Sequence, residues 1–292
     1  MTRDNNNNLF FWGMILSMTC WGFSWSSGKV LASYGHPLSI SFLRFVITFL
    51  SLIFILRLFK QSYAVKRSGF RDLIIASVLI SVYTFLFFQG VAIGKAGAGG
   101  VLVTVLNPIV SYAITLAVNR RKPSRSESIG LIMGAIAGIV LLQLFTHPES
   151  LFAAGNIYFL LASFSWAILS FFTARAQRYG SSMGFSFWMY GISSLLLFVV
   201  ADKAATWTTL QHADQLFWAN LFFSGTITTA LATTFFFFAT ARVGASKASS
   251  FIFMVPFSAA LGSWLFLHEV PQWHTIIGGA LGVVAVYVLN KR

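Results

Sequence analysis

Ten long apolar runs constrain the fold of this sequence more than any other feature. Each is long enough, or nearly so, to cross a hydrocarbon core of ~30 Å at a helical rise of ~1.5 Å per residue. The runs are continuously apolar rather than alternating, which disfavours a transmembrane β-barrel. We therefore predict an all-α integral membrane protein with ten transmembrane helices. We number the runs as spans one to ten, at about residues 9–32, 38–59, 73–94, 98–118, 128–145, 152–174, 182–200, 216–239, 245–267 and 273–290.

The composition agrees with a chain that is embedded in lipid. Hydrophobic residues make up 57% and charged residues 9%, whereas soluble domains carry roughly 25% charged residues. A net charge of +13 would suggest a nucleic-acid partner in a soluble protein. Here the cations lie in short loops, where membrane orientation explains them, so we expect a lipid bilayer and no nucleic acid as partner. Cys20 is the only cysteine, which excludes an intrachain disulfide.

The distribution of Lys and Arg predicts the orientation. If the N-terminus is inside, fifteen cations lie in tails and loops on the inner side, and Lys29, Lys95 and Lys203 lie on the outer side. This excess predicts a multi-pass protein of the bacterial inner membrane with both termini in the cytoplasm. Residues 9–23 resemble a signal peptide, but the apolar run continues to about Ala32 without a small-x-small cleavage site. We expect a retained first helix.

The sequence repeats itself, and all of the matches lie at residues that shape the backbone or pack against it. In the first set, Pro108, Pro123, Gly130 and Gly134 each have an identical residue 148 positions later. In the second set, the offset is 145 and pairs Trp21 with Trp166, Tyr34 with Tyr179 and Gly35 with Gly180. We therefore predict two repeats of five helices each, at residues 9–145 and 152–290.

An odd number of spans in each repeat has a topological consequence. The second repeat begins on the opposite side of the membrane and must be inverted relative to the first. Inverted repeats place a substrate site near the midplane between the halves, and alternating access follows when one half rocks against the other. The sequence therefore predicts a central cavity between the two repeats.

Pro108 and Pro256 lie near the middle of spans four and nine. A proline inside a helix removes one hydrogen bond and frees the carbonyl four residues earlier, here those of Thr104 and Ile252. In lipid, such a carbonyl needs a partner or a water-lined cavity. Corresponding interruptions in two halves indicate a transport pathway with a kink or gate. A structural kink that only helps helix packing is the alternative.

Polar residues form stripes on three of the spans. Thr104, Asn107 and Ser111 share one face of span four. Comparable stripes are Ser163, Trp166 and Ser170 on span six, and Thr226, Thr229 and Thr233 on span eight. These stripes suit an amphipathic solute, although Ser and Thr also bond to their own helix. Arg44 lies six residues into span two, ~9 Å along the helix. It either contacts a ligand or gate, as intramembrane charges often do, or extends toward the outer surface.

Several aromatic side chains lie away from the expected interfacial belts. There they either stack on a ring or cation of the solute or fill space in the core. The candidates for the binding site are Trp21, Trp25, Tyr83, Trp166 and Trp188.

The sequence contains no residue pattern typical of a cofactor site, a metal site or a hydrolytic centre. It has no P-loop and no zinc-ligand spacing, so we expect no cofactor and no metal. All seven carboxylates fall in tails, loops or helix ends, which disfavours a proton relay at the midplane. A membrane-embedded enzyme acting on lipid stays an alternative. It would have to use the histidines predicted on the outer side together with Glu149 and Glu269.

The assembled motifs resemble the EamA-type members of the drug/metabolite transporter superfamily. The motifs are the Trp21-Gly22 pair, Arg44-Phe45, the Pro108 unit, Glu269 at the end of span nine and the repeated glycines. The resemblance covers residues 9–289. It implies ten helices in two inverted repeats around a central cavity, and transport of small metabolites.

The resemblance makes an amino-acid exporter the leading expectation. The alternative carrier takes up or exchanges a nucleoside-like metabolite such as S-adenosylmethionine. The oligomeric state, monomer or homodimer, stays open.

Overall fold

The first half of the chain forms five long helices. The computed structural model describes residues 3–118, 120–152, 155–236 and 250–290, which contain helices and no β-strand. A single isolated bridge joins Val65 to Gly180. The helices of this half are α1 (Arg3–Ala32), α2 (Pro37–Leu58), α3 (Phe70–Ile93), α4 (Ala96–Val118) and α5 (Arg125–Leu141), with 3-10 turns at Arg67–Gly69 and Pro148–Phe152.

The described part of the second half contains seven further helices. Its elements are α6 (Asn156–Thr173), α7 (Ala176–Tyr179), α8 (Ser182–Val200), α9 (Lys203–Gln211) and α10 (Gln215–Phe222), followed by α11 (Met254–Leu267) and α12 (Trp273–Asn290). The helix α10 continues directly into a π-helix, Phe223–Ala232. A 3-10 turn, Ser250–Phe253, precedes α11.

The prediction of an all-helical membrane protein is confirmed. Within the described part of the chain, every one of the ten predicted spans contains a helix. Five helical segments are long and apolar enough to cross a bilayer by themselves: Pro37–Leu58, Arg67–Ile93, Ala96–Val118, Asn156–Tyr179 and Ser182–Val200. Met254–Leu267 and Trp273–Leu289 are shorter apolar helices. Three stretches of the predicted spans lie outside the described residues: 153–154 of span six, 237–239 of span eight and 245–249 of span nine.

Local sequence signals account for where the helices begin. Pro37 occupies the first turn of α2, where its missing N–H costs nothing, and His36 accepts a hydrogen bond from the N–H of Leu38. Ser124 and Glu127 form a capping box at the start of α5. Asp202 and Asp214 cap α9 and α10 by accepting backbone N–H groups.

Packing between the halves is reciprocal. The helix α1 packs against α11, and its counterpart α6 packs against α4. Likewise α6 packs against α3, while α1 packs against the π-helix, and α2 packs against its own counterpart α8. Side chains repeat the pattern: Thr48 on α2 donates to Gly225 O (3.1 Å), and Ser193 on α8, 145 residues later, donates to Ser77 O (3.0 Å).

The most extensive helix pair is α5 with α12. Gly130, near the start of α5, lies against Leu289 at the end of α12, while Gly278, near the start of α12, lies against Leu141 at the end of α5. The two helices are therefore antiparallel. A Cβ atom added at Gly130 or Gly278 would come within 2.6 or 2.7 Å of a leucine Cγ. These glycines of the repeat thus permit close packing within one chain.

The two prolines of the repeat occupy different positions in their helices. Pro108 lies inside α4, as the sequence predicts. Pro256 instead lies in the first turn of the α-helix α11, directly after the 3-10 turn Ser250–Phe253. The first turn tolerates proline because the N–H there has no intrahelical partner. The second interruption is therefore a change of helix type rather than a proline in mid-helix.

Candidate functional site

Arg44 is held among helices from both halves. It is the eighth residue of α2, about 10 Å from Pro37 along the axis. Its Nη2 donates to Thr229 Oγ1 on the π-helix (2.9 Å). Its guanidinium carbon lies 5.5 Å from the ring centre of Phe87 and 5.8 Å from that of Phe88, both on α3. The guanidinium thus contacts the protein interior, and these contacts do not fit an extension toward the outer surface.

The charge of Arg44 has no carboxylate partner among the described residues. No acceptor reaches its buried Nε, and the titratable side chains near it are Tyr83 and Tyr190. The side chain is only partly buried as a whole. A cation at this depth without an anion is costly unless something neutralises it.

Thr229, the partner of Arg44, lies within the π-helix. Thr228 Oγ1 donates to the carbonyl oxygen of Ser224 four residues earlier (2.7 Å), and Thr229 Oγ1 donates to the same oxygen five residues earlier (2.7 Å). Single-turn π-bulges occur frequently at functional sites, and longer π segments are rare. The oxygen of Thr229 keeps its lone pairs for the guanidinium, so Thr229 orients Arg44.

Aromatic rings from α1, α3 and α6 surround this region. The rings of Tyr83 and Trp166 lie 4.6 Å apart in an edge-to-face arrangement. Trp25 is 3% exposed and packs edge-to-face against Phe87 (4.7 Å) and Phe159 (5.9 Å). Trp25 is therefore a core residue that supports Phe87, whereas Tyr83 and Trp166 stay partly exposed.

The paired tryptophans Trp21 and Trp166 occupy matching places in the two halves. Trp166 contacts Tyr83, and Trp21 donates from Nε1 to the carbonyl oxygen of Thr228 (2.9 Å), which lies 145 positions after Tyr83. Trp21 also lies 5.4 Å from the ring of Phe236. Each of the two tryptophans thus contacts the other half of the chain: Trp21 of the first half contacts the second, and Trp166 of the second half contacts the first.

The polar stripe of α4 lies on the same helix face as Gly100. An added Cβ atom at Gly100 would meet Ala259 of α11 and Trp25 of α1. Thr104 donates back to the carbonyl oxygen of Gly100 (2.5 Å), and Ser111 donates to Asn107 Oδ1 (3.1 Å). Both hydroxyls therefore have partners on their own helix, and Asn107 Oδ1 accepts one of these bonds.

Of the predicted site residues, Thr229 bonds to Arg44, and Tyr83 lies near it with Trp166 packed against its ring. The described contacts of the others are with different residues; these are Trp21, Trp25, Thr104, Asn107, Ser111, Trp188 and Thr233. Trp188 is 44% exposed on α8 and donates from Nε1 to the carbonyl oxygen of Tyr63 (2.8 Å), so it anchors the loop after α2. Thr233 donates to the carbonyl oxygen of Thr228 at 3.5 Å.

Sequence reasoning missed Phe87, Phe88 and Ser224, and it noted Tyr190 only as one of several aromatic residues at this depth. In a chain with 32 phenylalanines, composition does not single out two of them. The offset of 145 could have identified Tyr190, because it pairs with Phe45, and the two rings lie 5.0 Å apart where α2 meets α8.

The carboxylates of the described helices and loops are engaged near helix ends. Glu269 accepts from the N–H groups of Ala96 (3.3 Å) and Gly97 (3.1 Å) at the start of α4. Asp72 pairs with Arg175 (3.4 Å) and accepts from the Tyr179 hydroxyl (2.8 Å). No group of three His, Cys, Asp or Glu side chains in the described ranges could hold a metal ion.

Comparison with known proteins assigns the chain to a family. The EamA-like transporter family matches twice, at residues 9–143 and 153–291. The chain belongs to this family. It is a multi-pass membrane protein from a family of transporters, not of enzymes.

Relatives of the chain span almost its whole length. It is 23% identical to the uncharacterized transporter YvbV of Bacillus subtilis, over 93% of this chain and 88% of that protein. It is 21% identical to a probable terminal-alkyne amino-acid exporter of Streptantibioticus cattleyicolor, over 96% and 93% of the two chains. A protein of known crystal structure shares the fold with a TM-score of 0.58 and 16% identity, over 99% of this chain and 98% of that one.

Proposed function

We propose that this EamA-family protein is a secondary carrier of the bacterial inner membrane that exports a small amphipathic carboxylate, such as an amino acid or a related carboxylic acid. The observation that carries the proposal is Arg44, an intramembrane guanidinium with a buried Nε that no described acceptor reaches. A carboxylate is the ligand group that matches a guanidinium in charge and geometry.

Alternating access between two inverted repeats is the proposed mechanism. The reciprocal contacts of α1 with α11 and α4 with α6, and the antiparallel pair α5 and α12, support a two-fold relation between the halves. Rocking of one half against the other would expose the region around Arg44 to each side in turn. Pro108 in α4 and the change of helix type before Pro256 are the proposed flexible points.

The proposed site combines one cation with aromatic and amide groups. Arg44 binds the carboxylate and Thr229 orients it. Tyr83 and Trp166 contact the apolar part of the solute, and Asn107 contributes a neutral hydrogen-bonding group from α4. The proposed orientation has both termini in the cytoplasm, as the cation distribution predicts.

S-adenosylmethionine is the alternative solute. It also carries a carboxylate that can pair with Arg44, but its additional sulfonium charge has no carboxylate partner near Arg44 among the described residues, and an unpaired charge is costly in a region of low dielectric. The name of the Streptantibioticus cattleyicolor relative, an amino-acid exporter, supports export of a carboxylate-bearing solute.

Ligand-induced thermal shifts test this proposal. We expect a panel of amino acids and related carboxylic acids to raise the Tm of purified wild-type protein, because a ligand that binds only the folded state stabilises it. Arg44→Gln should abolish the shift without lowering the Tm of the free protein, since it removes an unpaired charge. Arg57→Gln, on an exposed position of the same helix, is the matched control. If the same compounds raise the Tm of Arg44→Gln as much as the Tm of wild type, the proposal is contradicted.

A further inference from the structure

Among the described side chains, no carboxylate lies next to Arg44 to pair with a cationic group of a solute. Six of the seven carboxylates have partners at helix ends or in loops. They are Asp72 with Arg175, Glu127 with Arg121, Glu149 with His147, Asp202 with the N–H of Ala205, Asp214 with the Tyr34 hydroxyl, and Glu269 with the N–H groups of Ala96 and Gly97. The seventh, Asp4, is the second residue of α1, at one end of that helix.

The residue of the second half that corresponds to Arg44 carries no charge. The residue 145 positions after Arg44 is Met189, which is 4% exposed. The residue 145 positions before Thr229 is Thr84, whose buried Oγ1 has no hydrogen-bond partner in the described part of the chain. The pair of Arg44 and Thr229 therefore has a neutral counterpart, and the two-fold relation of the helices does not extend to charge.

Neutral hydrogen-bonding groups remain unused on the surrounding helices. Among the described residues, the buried side-chain atoms without a partner are Arg44 Nε, Thr84 Oγ1, Ser163 Oγ and Ser224 Oγ, on α2, α3, α6 and the π-helix. Thr84 follows Tyr83, Ser163 lies one turn before Trp166, and Ser224 bonds to Thr229 through its carbonyl. Hydroxyls of this kind can donate to a carboxylate, but they cannot neutralise an ammonium group.

The ring faces near the guanidinium are also occupied. Phe87 and Phe88 already interact with the guanidinium of Arg44. An ammonium group of the solute in the same place would meet a like charge, and the cation–π attraction of those rings is shared with Arg44.

From this distribution of charge we infer that the site prefers a monoanion, a carboxylate without an ammonium group, over a zwitterionic amino acid. The inference rests on the proposed function, because it concerns the same site and the same arginine. A monoanion makes the loaded site electrically neutral. A zwitterion leaves one positive charge without a partner, and a cation adds a second one, which is unfavourable in a medium of low dielectric.

Two matched series of probes test the inference. The first is 3-phenylpropanoate, phenylalanine and 2-phenylethylamine, and the second is 4-methylpentanoate, leucine and 3-methylbutylamine. Within each series the apolar group is constant, and the acid lacks the ammonium group while the amine lacks the carboxylate. Dissociation constants are measured by titration calorimetry on the purified full-length protein, with Arg44→Gln and Arg57→Gln titrated in parallel to correct for partition of the probes into detergent.

We expect each acid to bind about tenfold or more tightly than its amino acid, as one unneutralised charge implies, and the amines not to bind. Arg44→Gln should remove this preference, and Arg57→Gln should keep it. If both amino acids bind more tightly than the acids and need Arg44, the monoanion preference is wrong while the carboxylate site stands. If the amines bind best, or none of the six probes binds, the preference and the proposed function are both wrong.

Discussion

Thr229 fixes the position of Arg44 through one hydrogen bond, which makes it the residue whose role is most open to test. We predict that Thr229→Val weakens carboxylate binding about 3- to 10-fold, because a hydrogen bond to a charged group contributes about 1.5–3 kcal/mol and the ligand recovers part of it. Thr229→Ser should restore binding, because it keeps the hydroxyl. The measurement is the dissociation constant by calorimetry for each variant. Equal weakening by Val and Ser would contradict a positioning role for the hydroxyl.

Glu127 should make the stability of the protein depend on pH at values below the usual pKa of a glutamate side chain. Arg121 contacts it through two nitrogens (2.7 and 2.9 Å), and this interaction, helped by the Tyr112 hydroxyl, lowers the pKa of the Glu127 carboxyl from 4.5 to about 2. A depressed pKa in the folded state gives stabilisation that is complete above about pH 4.5 and is lost as the pH falls toward 2.

The comparison of wild type with Glu127→Gln measures this effect. Gln keeps the capping geometry at the start of α5 but cannot ionise. We expect wild type to have the higher Tm at pH 6, and the difference to shrink steadily between pH 4.5 and pH 2.5. A difference in Tm that stays constant across this range would contradict the account of Glu127.

At the scale of elements, the pair α5 and α12 depends on two equivalent glycines. We predict that Gly130→Ala and Gly278→Ala each lower the Tm by several degrees, since a Cβ atom at either position overlaps a leucine and overpacking costs about 1–3 kcal/mol. Gly138→Ala is the control, because its Cβ atom would meet only the flexible end of Leu106 at 3.1 Å. Leu289→Ala combined with Gly130→Ala should recover part of the loss. If the decreases in Tm of the two single variants simply add in the double variant, the two residues are not in steric conflict, and the explanation is wrong.

Sequence patterns predicted the helices well and their internal irregularities poorly. The ten apolar runs predicted a helix in each place because hydrophobic length is a strong signal in lipid. The π-helix at Phe223–Ala232 has no such signal, because its sequence keeps the apolar composition of its neighbours. The matching prolines predicted matching kinks, whereas Pro256 lies in a first turn, because the backbone before it is a 3-10 turn.

The sequence identified the charged residue of the candidate site, Arg44, but not the residues that contact it. Arg44 stood out from the sequence because charged residues are rare in apolar runs. Its partner Thr229 lies in the π-helix, which the sequence does not reveal, and its contacts with Phe87 and Phe88 depend on the packing of α2 and α3. Trp25 and Trp188 show the limit of aromatic signals, because one fills the core and the other lies on the outer face of α8.

For the whole molecule, orientation is the most accessible prediction. In a variant without Cys20, Thr208→Cys on α9 should react with a membrane-impermeant maleimide in intact spheroplasts. Ser68→Cys, in the loop before α3, should react only after permeabilisation, because the excess of cations places that loop in the cytoplasm. Both positions are exposed, so accessibility within the protein does not bias the comparison. Reaction of Ser68→Cys in intact spheroplasts would contradict the proposed orientation.

Counterflow in proteoliposomes tests the central claim, that Arg44 binds the carboxylate of a transported solute, most directly. Liposomes with wild-type protein are loaded with an unlabelled amino acid or its matched carboxylic acid, and uptake of the labelled compound is followed. We predict that wild-type protein accumulates at least one labelled compound transiently. The counterflow rate of Arg44→Gln should fall below about one tenth of the wild-type rate, as loss of a charged hydrogen-bonded pair implies. The counterflow rate of Arg57→Gln should equal that of wild type. No counterflow of any carboxylate, or equal rates for wild type and Arg44→Gln, would contradict the claim.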